Sequence, residues 1–166
     1  MTNIQFITHE NERFGYIEGT ELALRGGCKW VQLRMKNATD EQFLNVGRQV
    51  AALCRNYHAT FLLDDRVHLV HELGADGVHL GKNDMPVDEA RTLLGHEKII
   101  GGTANTFADI QRLATQGANY IGCGPFRYTT TKQNLAPVLG LKGYETLLNQ
   151  VKDAQIQIPL IAIGGI

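Results

Sequence analysis

The chain has 166 residues, 43% of them hydrophobic, so it is long enough to bury the core of one domain. Its 16 basic and 17 acidic side chains nearly cancel, which excludes a global attraction to nucleic acid or to an anionic membrane. No basic leader precedes the first apolar segment, and no apolar run approaches the roughly 18 residues of a membrane span. We expect a cytoplasmic protein whose three cysteines, Cys28, Cys54 and Cys123, are buried and reduced.

Short apolar runs alternate with segments of helical spacing along the whole chain. Strands are predicted at 4–8, 30–33, 60–63, 77–80, 99–101, 120–123 and 159–163. Helices are predicted at 16–24, 40–57, 67–73, 87–94, 106–115 and 144–154, and a long polar loop at 124–140. The glycines Gly26 and Gly27 suit a helix end in the left-handed region, and Thr39 before Glu41 and Gln42 suits a capped helix start.

The alternation of seven strands with six helices predicts parallel pairing, in either an open doubly wound sheet or a closed barrel. The repeats are compact, and polar residues follow strand after strand, which favours the barrel. A (β/α)8 TIM barrel needs eight strands, so the eighth βα unit is predicted to be missing from this chain. Residues 1–166 are therefore expected to form a single TIM-barrel domain that is incomplete at its C-terminus.

The second predicted strand ends in alternating polar residues. The segment reads Gln32, Leu33, Arg34, Met35, Lys36. Strand alternation points Gln32, Arg34 and Lys36 to the same side. The planar fork of an arginine and the movable charge of a lysine suit a diphosphate at the mouth of a barrel. The alternative is an exposed strand end that carries ordinary surface charges.

Carboxylates follow the third and fourth predicted strands. Asp64 and Asp65 follow the third strand, and Asp84 follows the fourth. Carboxylates from neighbouring strand ends can hold a hard cation such as Mg²⁺, which completes its shell with water and substrate phosphate. The alternative for Asp65 and Asp84 is helix capping, because a predicted helix follows each of them.

Two later loops offer hydrogen-bonding groups. The glycine-rich end of the fifth strand leads to Thr103 and Asn105, which can bind a ligand. The loop after the sixth strand places three hydroxyls before an ammonium, in Thr129, Thr130, Thr131 and Lys132. This composition suits a flexible phosphate clamp, and a plain polar surface loop is the alternative.

The sequence offers no nucleophile for covalent catalysis. No Ser, His and Asp set has a recognisable spacing, and no cysteine has an evident base beside it. His79 alternates with the apolar residues of the fourth strand, which favours an interior histidine over a catalytic base. His68 and His71 lack the zinc-binding HExxH pattern and are expected at the surface.

The chain resembles the thiamin phosphate synthases, also called thiamin phosphate pyrophosphorylases, over nearly its whole length. Six fragments in order carry the resemblance: QLRMK, LLDD, GVHLGKND, GGTANT, GCGPFRYTTTK and IAIGGI. The resemblance implies joining 4-amino-2-methyl-5-pyrimidinylmethyl diphosphate to thiazole phosphate, which yields thiamin phosphate and pyrophosphate, with Mg²⁺ as cofactor. The family's reaction is dissociative: the diphosphate leaves first, and the thiazole nitrogen captures the pyrimidinylmethyl cation.

The resemblance also implies a role for each matched residue. It makes Arg34, Lys36 and Lys132 the catalytic cations that grip the diphosphate, and Asp65 and Asp84 the metal ligands. The other substrate-binding residues that it implies are Gln32 and Asp64 on the pyrimidine side, Leu33, Met35 and Thr103, and, for the thiazole phosphate, Thr129, Thr130, Thr131 and the backbone of Gly165. At Thr103 the family commonly has serine, so the hydroxyl is kept.

Three other functions remain open at this point. A thiazole tautomerase-like homologue resembles the synthase but typically lacks its full set of basic and acidic residues. A non-catalytic phosphate-binding barrel would suit a chain without its eighth unit. An isomerase or epimerase of phosphorylated substrates would need a proton-transfer group on the barrel axis, for which His79 is the only candidate. The expected partners are small-molecule substrates, with neither nucleic acid nor membrane, and a homodimer would suit a small barrel.

Overall fold

The computed structural model describes residues 4–129 and 136–166. The backbone divides into two compact units, each with its own internal packing. The first unit comprises Met1–His79 and His96–Ile99, and the second comprises Leu80–Gly95 and Ile100–Ile166. In both units parallel strands alternate with helices in chain order, so the fold is α/β, as the sequence predicts.

The first unit is a set of parallel strands with helices between them. Its elements are β1 (Phe6–Ile7), α1 (Tyr16–Arg25), β2 (Trp30–Leu33), α2 (Asp40–Asn56), β3 (Thr60–Asp64), a 3-10 turn (Val67–Leu69) and β4 (Gly77–Leu80), whose last residue belongs to the second unit. Leu33 pairs with Leu63, and Asp64 pairs with His79. Because parallel strands end at the same edge of a sheet, the residues that follow β2 and β3 leave the sheet side by side.

The core of the first unit lies where α2 covers the buried strands. Leu62 and Leu63 of β3 are fully buried, and so are Phe43 and Val50 on one face of α2. A capping box starts α2: the Thr39 hydroxyl accepts a hydrogen bond from the Gln42 backbone, and the Gln42 side chain accepts one from the Thr39 backbone.

The second unit repeats the pattern. Its elements are α3 (Val87–Leu94), β5 (Ile99–Ala104), whose first residue belongs to the first unit, α4 (Phe107–Thr115), β6 (Tyr120–Cys123), α5 (Gly140–Asp153) and β7 (Leu160–Ala162). Thr103 pairs with Gly122, and Cys123 with Ala162, in parallel register. Its core contains Ile110 of α4 and Ile121 of β6, both fully buried.

The predicted helix at 67–73 is wrong, because only a 3-10 turn forms there, at Val67–Leu69. Asp65 has a φ of 59°, in the left-handed region, and its backbone N–H donates to the His79 carbonyl at 2.9 Å. The chain therefore bends immediately after β3, and the positive φ of Gly74, 59°, turns it again before β4. Between these two bends the chain forms the 3-10 turn and hydrogen-bonded turns instead of an α-helix.

The other predicted elements are present, with shifted ends in several cases. The bounds of α3, β2, β4 and β6 are as predicted, whereas β1 and β7 are shorter. The helix α5 begins at Gly140 instead of 144, and β5 continues to Ala104 instead of ending at 101. The longer β5 places Thr103 inside a strand.

The three cysteines are free and buried, as predicted. Burial raises the pKa of Cys54 to about 12 and that of Cys123 to about 11, which keeps both thiols protonated and unreactive. Among the described residues, no helix combines the length and the apolar character that a bilayer crossing requires.

Candidate active site

The end of β2 places one buried amide and two cations in succession. Gln32 is only 1% exposed, and its Nε2 has no hydrogen-bond partner among the described residues. The backbone of Arg34 is fixed by Thr8, whose hydroxyl accepts from the Arg34 N–H at 2.9 Å and donates to the Arg34 carbonyl at 3.3 Å. A buried amide donor without a partner is costly unless a ligand or water pairs with it.

The end of β3 supplies two adjacent carboxylates in different surroundings. Asp64 is the last residue of the strand and is 7% exposed, whereas Asp65 has left the strand with its positive φ. Aspartate tolerates the left-handed region better than most residues, because its short side chain can make local hydrogen bonds. The bend brings both carboxylates close to the ammonium of Lys36.

Lys36 lies between the two carboxylates. Its Nζ is 3.0 Å from Oδ2 of Asp64 and 2.5 Å from Oδ2 of Asp65. The Nε of Arg34 is 3.8 Å from the same oxygen of Asp64. The structure therefore brings four predicted site residues together in one charged group, which we call the carboxylate cluster: Arg34, Lys36, Asp64 and Asp65.

Burial and charge act in opposite directions in the carboxylate cluster. Burial raises the pKa of Asp64, although the charges of Lys36 and Arg34 act to lower it. Burial alone would lower the pKa of Lys36, but the two carboxylates raise it, so the ammonium stays charged. The charged ammonium of Lys36 therefore stabilises the ionised form of Asp64, which burial disfavours.

Arg66 is a neighbour of this cluster that the sequence did not single out. Its guanidinium donates to the Ala38 carbonyl at 2.7 Å and lies over the ring of Phe43, 5.4 Å from the centroid. Its Nε is 4.0 Å from Oδ1 of Asp65. Arg66 therefore connects the loop that follows β2 with the loop that follows β3. The only sequence signal was its position directly after the aspartate pair.

The loop after β4, in the second unit, is closed by Asp84. Its Oδ2 accepts a hydrogen bond from the Gly81 backbone N–H at 2.6 Å. The helix that follows begins after Pro86 and has no side-chain cap. The 3-10 turn that follows Asp65 also lacks a side-chain cap. The alternative interpretation of Asp65 and Asp84 as helix caps is therefore wrong.

Lys82, in the same loop, forms an ion pair that the sequence did not reveal. Its Nζ is 2.6 Å from Oδ2 of Asp109, which starts helix α4 in a capping box with Thr106. Oδ2 of Asp109 also accepts from the backbone N–H groups of Asn105 and Thr106, at 3.1 and 3.0 Å. Burial alone would raise the pKa of Asp109, but hydrogen bonds from Lys82, Thr106 and Asn105 lower it to about 2.

A cavity of about 90 Å³ opens beside these loops within the second unit. It is lined by residues of the loop after β4 and of β5 and α4, among them Lys82, Asp84, Thr103 and Arg112. Thr103 is 6% exposed. The predicted residues Asp84 and Thr103 thus line one small cavity.

The remaining predicted residues belong to the loop after β6 and to the segment after β7. Thr130, Thr131 and Lys132 lie outside the described residues, whereas Thr129 lies within them. Gly165 has a φ of 73°, and a Cβ added there would lie 2.9 Å from the Arg127 carbonyl oxygen. A side chain is therefore excluded at Gly165, because atoms of Arg127 fill the position that a Cβ would take.

The donor set agrees with a hard, oxygen-preferring cation. Among the described residues, no group of three or more His, Cys, Asp or Glu side chains could enclose a metal ion. A site of that kind would suit zinc or calcium better than magnesium. Magnesium is usually held by one or two carboxylates and completes its shell with water and substrate phosphate. Asp65 in the first unit and Asp84 in the second each offer one such carboxylate.

Parallel strands that alternate with helices, and whose ends carry cations, carboxylates and small residues, define an α/β protein with charged strand ends. Residues 4–166 match the family model described as thiamine monophosphate synthase, and the chain belongs to this family. The resemblance found in the six sequence fragments is thereby confirmed.

Curated relatives and solved structures agree with this assignment. The chain is 56% identical over all 166 residues to a thiamine-phosphate synthase of Bacteroides thetaiotaomicron, covering 79% of that protein. It is 48% identical to the thiamine-phosphate synthase of Flavobacterium johnsoniae, over 98% of this chain and 77% of that one. The solved thiamine phosphate pyrophosphorylase of Pyrococcus furiosus is 31% identical with a TM-score of 0.83, over 98% of this chain and 75% of that one.

Proposed function

We propose that this protein is a thiamin phosphate synthase. The observation that supports the proposal is the carboxylate cluster, in which Lys36 of the QLRMK fragment lies within hydrogen-bonding distance of Asp64 and Asp65 of the LLDD fragment. The identity of more than half to a named thiamine-phosphate synthase supports the same activity. A tautomerase-like homologue would not need this set of cations and carboxylates.

The reaction is a substitution at the pyrimidinylmethyl carbon. The bond from this carbon to the diphosphate oxygen breaks, and both of its electrons leave with pyrophosphate. The thiazole nitrogen then donates its lone pair to the resulting cation and forms the new C–N bond of thiamin phosphate. No protein nucleophile takes part, which agrees with the lack of a nucleophile and base pair in the sequence.

The catalytic contribution of the chain is electrostatic. Arg34, Lys36 and Lys132 neutralise the charge that develops on the leaving diphosphate, in a site arranged before the reaction begins. Removing one such donor in other enzymes typically costs about 100-fold to 1,000-fold in turnover. Asp65 and Asp84 are the proposed ligands of Mg²⁺, which when bound supplies further positive charge to the diphosphate oxygens.

The other matched residues position the two substrates. The buried Nε2 of Gln32, which lacks a partner among the described residues, is suited to hydrogen-bond the pyrimidine ring. Asp64, at the end of β3, is proposed to act on the same side. Leu33 and Met35, from the segment that contains Gln32, are further proposed substrate contacts, and so is Thr103. The proposed contacts of the thiazole phosphate are Thr129, Thr130, Thr131 and the backbone of Gly165.

We also propose that the fold is of the (β/α)8 TIM-barrel type. Strand pairing in chain order within each unit supports it, and so does the TM-score of 0.83 to the Pyrococcus furiosus pyrophosphorylase. A single domain over residues 1–166, a missing eighth βα unit, a homodimer and a cytoplasmic location remain predictions.

The activity is tested by incubating the protein with both substrates and Mg²⁺ and measuring pyrophosphate and thiamin phosphate. We expect equal amounts of the two products, and much less of both from Lys36→Met. Lys29→Met is the matched control, because Lys29 is an exposed lysine of the same unit that donates to the Tyr57 carbonyl. Isomerisation of the thiazole without any pyrophosphate release would assign the protein to the tautomerase-like class instead.

A further inference from the structure

The ammonium of Lys36 lies on Oδ2 of Asp65, a carboxylate proposed above as a metal ligand. Its Nζ is 2.5 Å from Oδ2 of Asp65 and 3.0 Å from Oδ2 of Asp64. The side chain of Asp64 is 9% exposed and that of Asp65 is 21% exposed, so little water screens the pair. In the ligand-free protein, Lys36 is therefore the counter-ion of both carboxylates.

A divalent cation and this ammonium compete for Asp65. Magnesium binds carboxylate oxygens at about 2.0 to 2.1 Å, which is closer than the ammonium lies. Two cations on one carboxylate oxygen would be within a few ångströms of each other and would repel strongly at a partly buried position. Direct coordination by Asp65 therefore requires that Nζ of Lys36 moves away.

In the proposed reaction Lys36 also binds the diphosphate, so its ammonium has to move from one partner to another. Lysine carries its charge on a flexible four-carbon stem, so its ammonium can move several ångströms without any change in the backbone. The Arg66 guanidinium is more constrained, because it donates to the Ala38 carbonyl at 2.7 Å and lies over the ring of Phe43. The Nε of Arg34 is 3.8 Å from Asp64. Of these three cations, Lys36 is the one within 3.0 Å of both carboxylates.

We propose that Lys36 is an exchangeable internal cation: it holds the carboxylates of Asp64 and Asp65 in the free protein, yields Asp65 to the metal, and transfers to the diphosphate. This inference rests on the proposed function and deepens it. The exchange couples the two ligands, because the diphosphate draws the ammonium away from Asp65 and the metal releases the ammonium for the diphosphate. Such coupling is reciprocal by thermodynamic linkage.

The test is a titration with Mn²⁺ in buffer free of phosphate, followed by electron paramagnetic resonance of the unbound ion. Lys36→Met removes the competitor, so we expect it to bind Mn²⁺ at least about tenfold more tightly than the wild-type protein. Lys36→Arg keeps a cation at this position and should stay within about threefold of the wild type.

Arg34→Met is the matched control for a general change in charge. It also removes one positive charge near the carboxylates, but Arg34 lies 3.8 Å from Asp64 and is not paired with Asp65. We expect Mn²⁺ to bind Arg34→Met at most about threefold more tightly. If Lys36→Met gains no more than Arg34→Met, or if neither variant binds Mn²⁺, the proposal is overturned.

A second titration measures the coupling itself. Pyrophosphate should tighten Mn²⁺ binding to the wild-type protein by a larger factor than to Lys36→Met, and Lys36→Gln serves as the second variant if Lys36→Met does not fold. Equal factors for wild type and variant would contradict the exchange. Neither titration involves turnover, so an inactive protein with the expected Mn²⁺ affinities overturns the synthase assignment alone. An active protein without them overturns the exchange alone.

Discussion

The charged groups of the two units are held in different ways. In the first unit, Lys36, Asp64 and Asp65 are paired mainly with each other, at 2.5 to 3.0 Å. In the second unit, Asp84 and Asp109 accept hydrogen bonds from backbone N–H groups. Side-chain pairs can exchange partners when a ligand arrives, whereas backbone donors remain in place.

This difference predicts different roles for the charged groups of the two units. The first unit presents a group that is neutralised internally until a ligand replaces the internal partners. The second unit presents carboxylates whose orientation is set in part by backbone N–H groups of the loops. Substitutions in the first unit should therefore act mainly on chemistry, and those in the second unit on position and stability.

The largest effect is expected from Asp65→Asn in the first unit. The asparagine amide is nearly the same size as the carboxylate but carries no charge. The variant therefore lacks the charge to which Lys36 and the proposed metal ion bind in turn. We expect kcat/KM to fall at least about 100-fold. Stability should change little, because asparagine tolerates the left-handed φ of this position as aspartate does. Steady-state kinetics and thermal unfolding measure the two quantities.

Glu72→Gln is the control for this prediction. Glu72 pairs with Arg48 at 2.9 Å, and both side chains are largely exposed. This variant should keep its activity within about twofold, because exposed pairs contribute little. If kcat/KM falls no further in Asp65→Asn than in Glu72→Gln, the carboxylate cluster has no greater part in the reaction than an exposed ion pair.

A smaller effect is expected from Lys82→Met in the second unit. The change breaks the 2.6 Å ion pair with Asp109 and releases the loop that carries Asp84. We expect kcat/KM to fall about tenfold, because a small displacement of a binding group is costly even when the group itself remains. The apparent affinity for Mg²⁺ in the assay should fall with it.

The size of the Lys82 effect distinguishes two roles. A fall of about 100-fold or more would indicate that Lys82 contacts the diphosphate itself. A fall of less than twofold would show that Asp84 is positioned without this ion pair. Lys82→Arg should recover most of the activity if pairing with Asp109 is what matters.

The sequence predicted the elements well where hydrophobic period and end signals agree. Helix α3 has the predicted bounds, because Pro86 precedes it and Gly95 follows it. The helix predicted at 67–73 does not form because Asp65 takes a left-handed φ and bends the chain. Residue propensities do not predict this conformation for a particular aspartate. Tertiary contacts with β4 select that conformation.

The candidate site was predictable in composition but not in its pairings. Strand alternation and parallel order place Arg34, Lys36 and Asp65 near one edge of a sheet. They do not reveal that Lys36 lies on both carboxylates. Lys82 and Asp109 are separated in sequence by helix α3, strand β5 and the loops beside them, so their contact depends on three-dimensional packing that no local pattern reveals.

The pH dependence of stability offers a third test in the second unit. The pKa of Asp109 is lowered from 3.8 to about 2, so its charged form stabilises the folded state. This contribution, of about 1 to 2 kcal/mol, is full above about pH 5 and is lost as the pH falls towards 2. Urea unfolding of wild type and Asp109→Asn should differ by a pH-dependent amount that vanishes near pH 2. A difference that is constant over this range would contradict the lowered pKa.

The smallest effects compare the two capping boxes. Thr39 starts α2 in the first unit, and Thr106 starts α4 in the second. Replacing either by alanine should reduce the free energy of unfolding by about 1 kcal/mol, because each loses the same type of cap. Only Thr106→Ala should also reduce kcat/KM, by about two- to threefold, since the Thr106 hydroxyl donates to the Asp109 oxygen that binds Lys82, at 2.8 Å. Equal activity of the two variants would mean that the cap of α4 is structural only, and that Lys82 keeps its position without it.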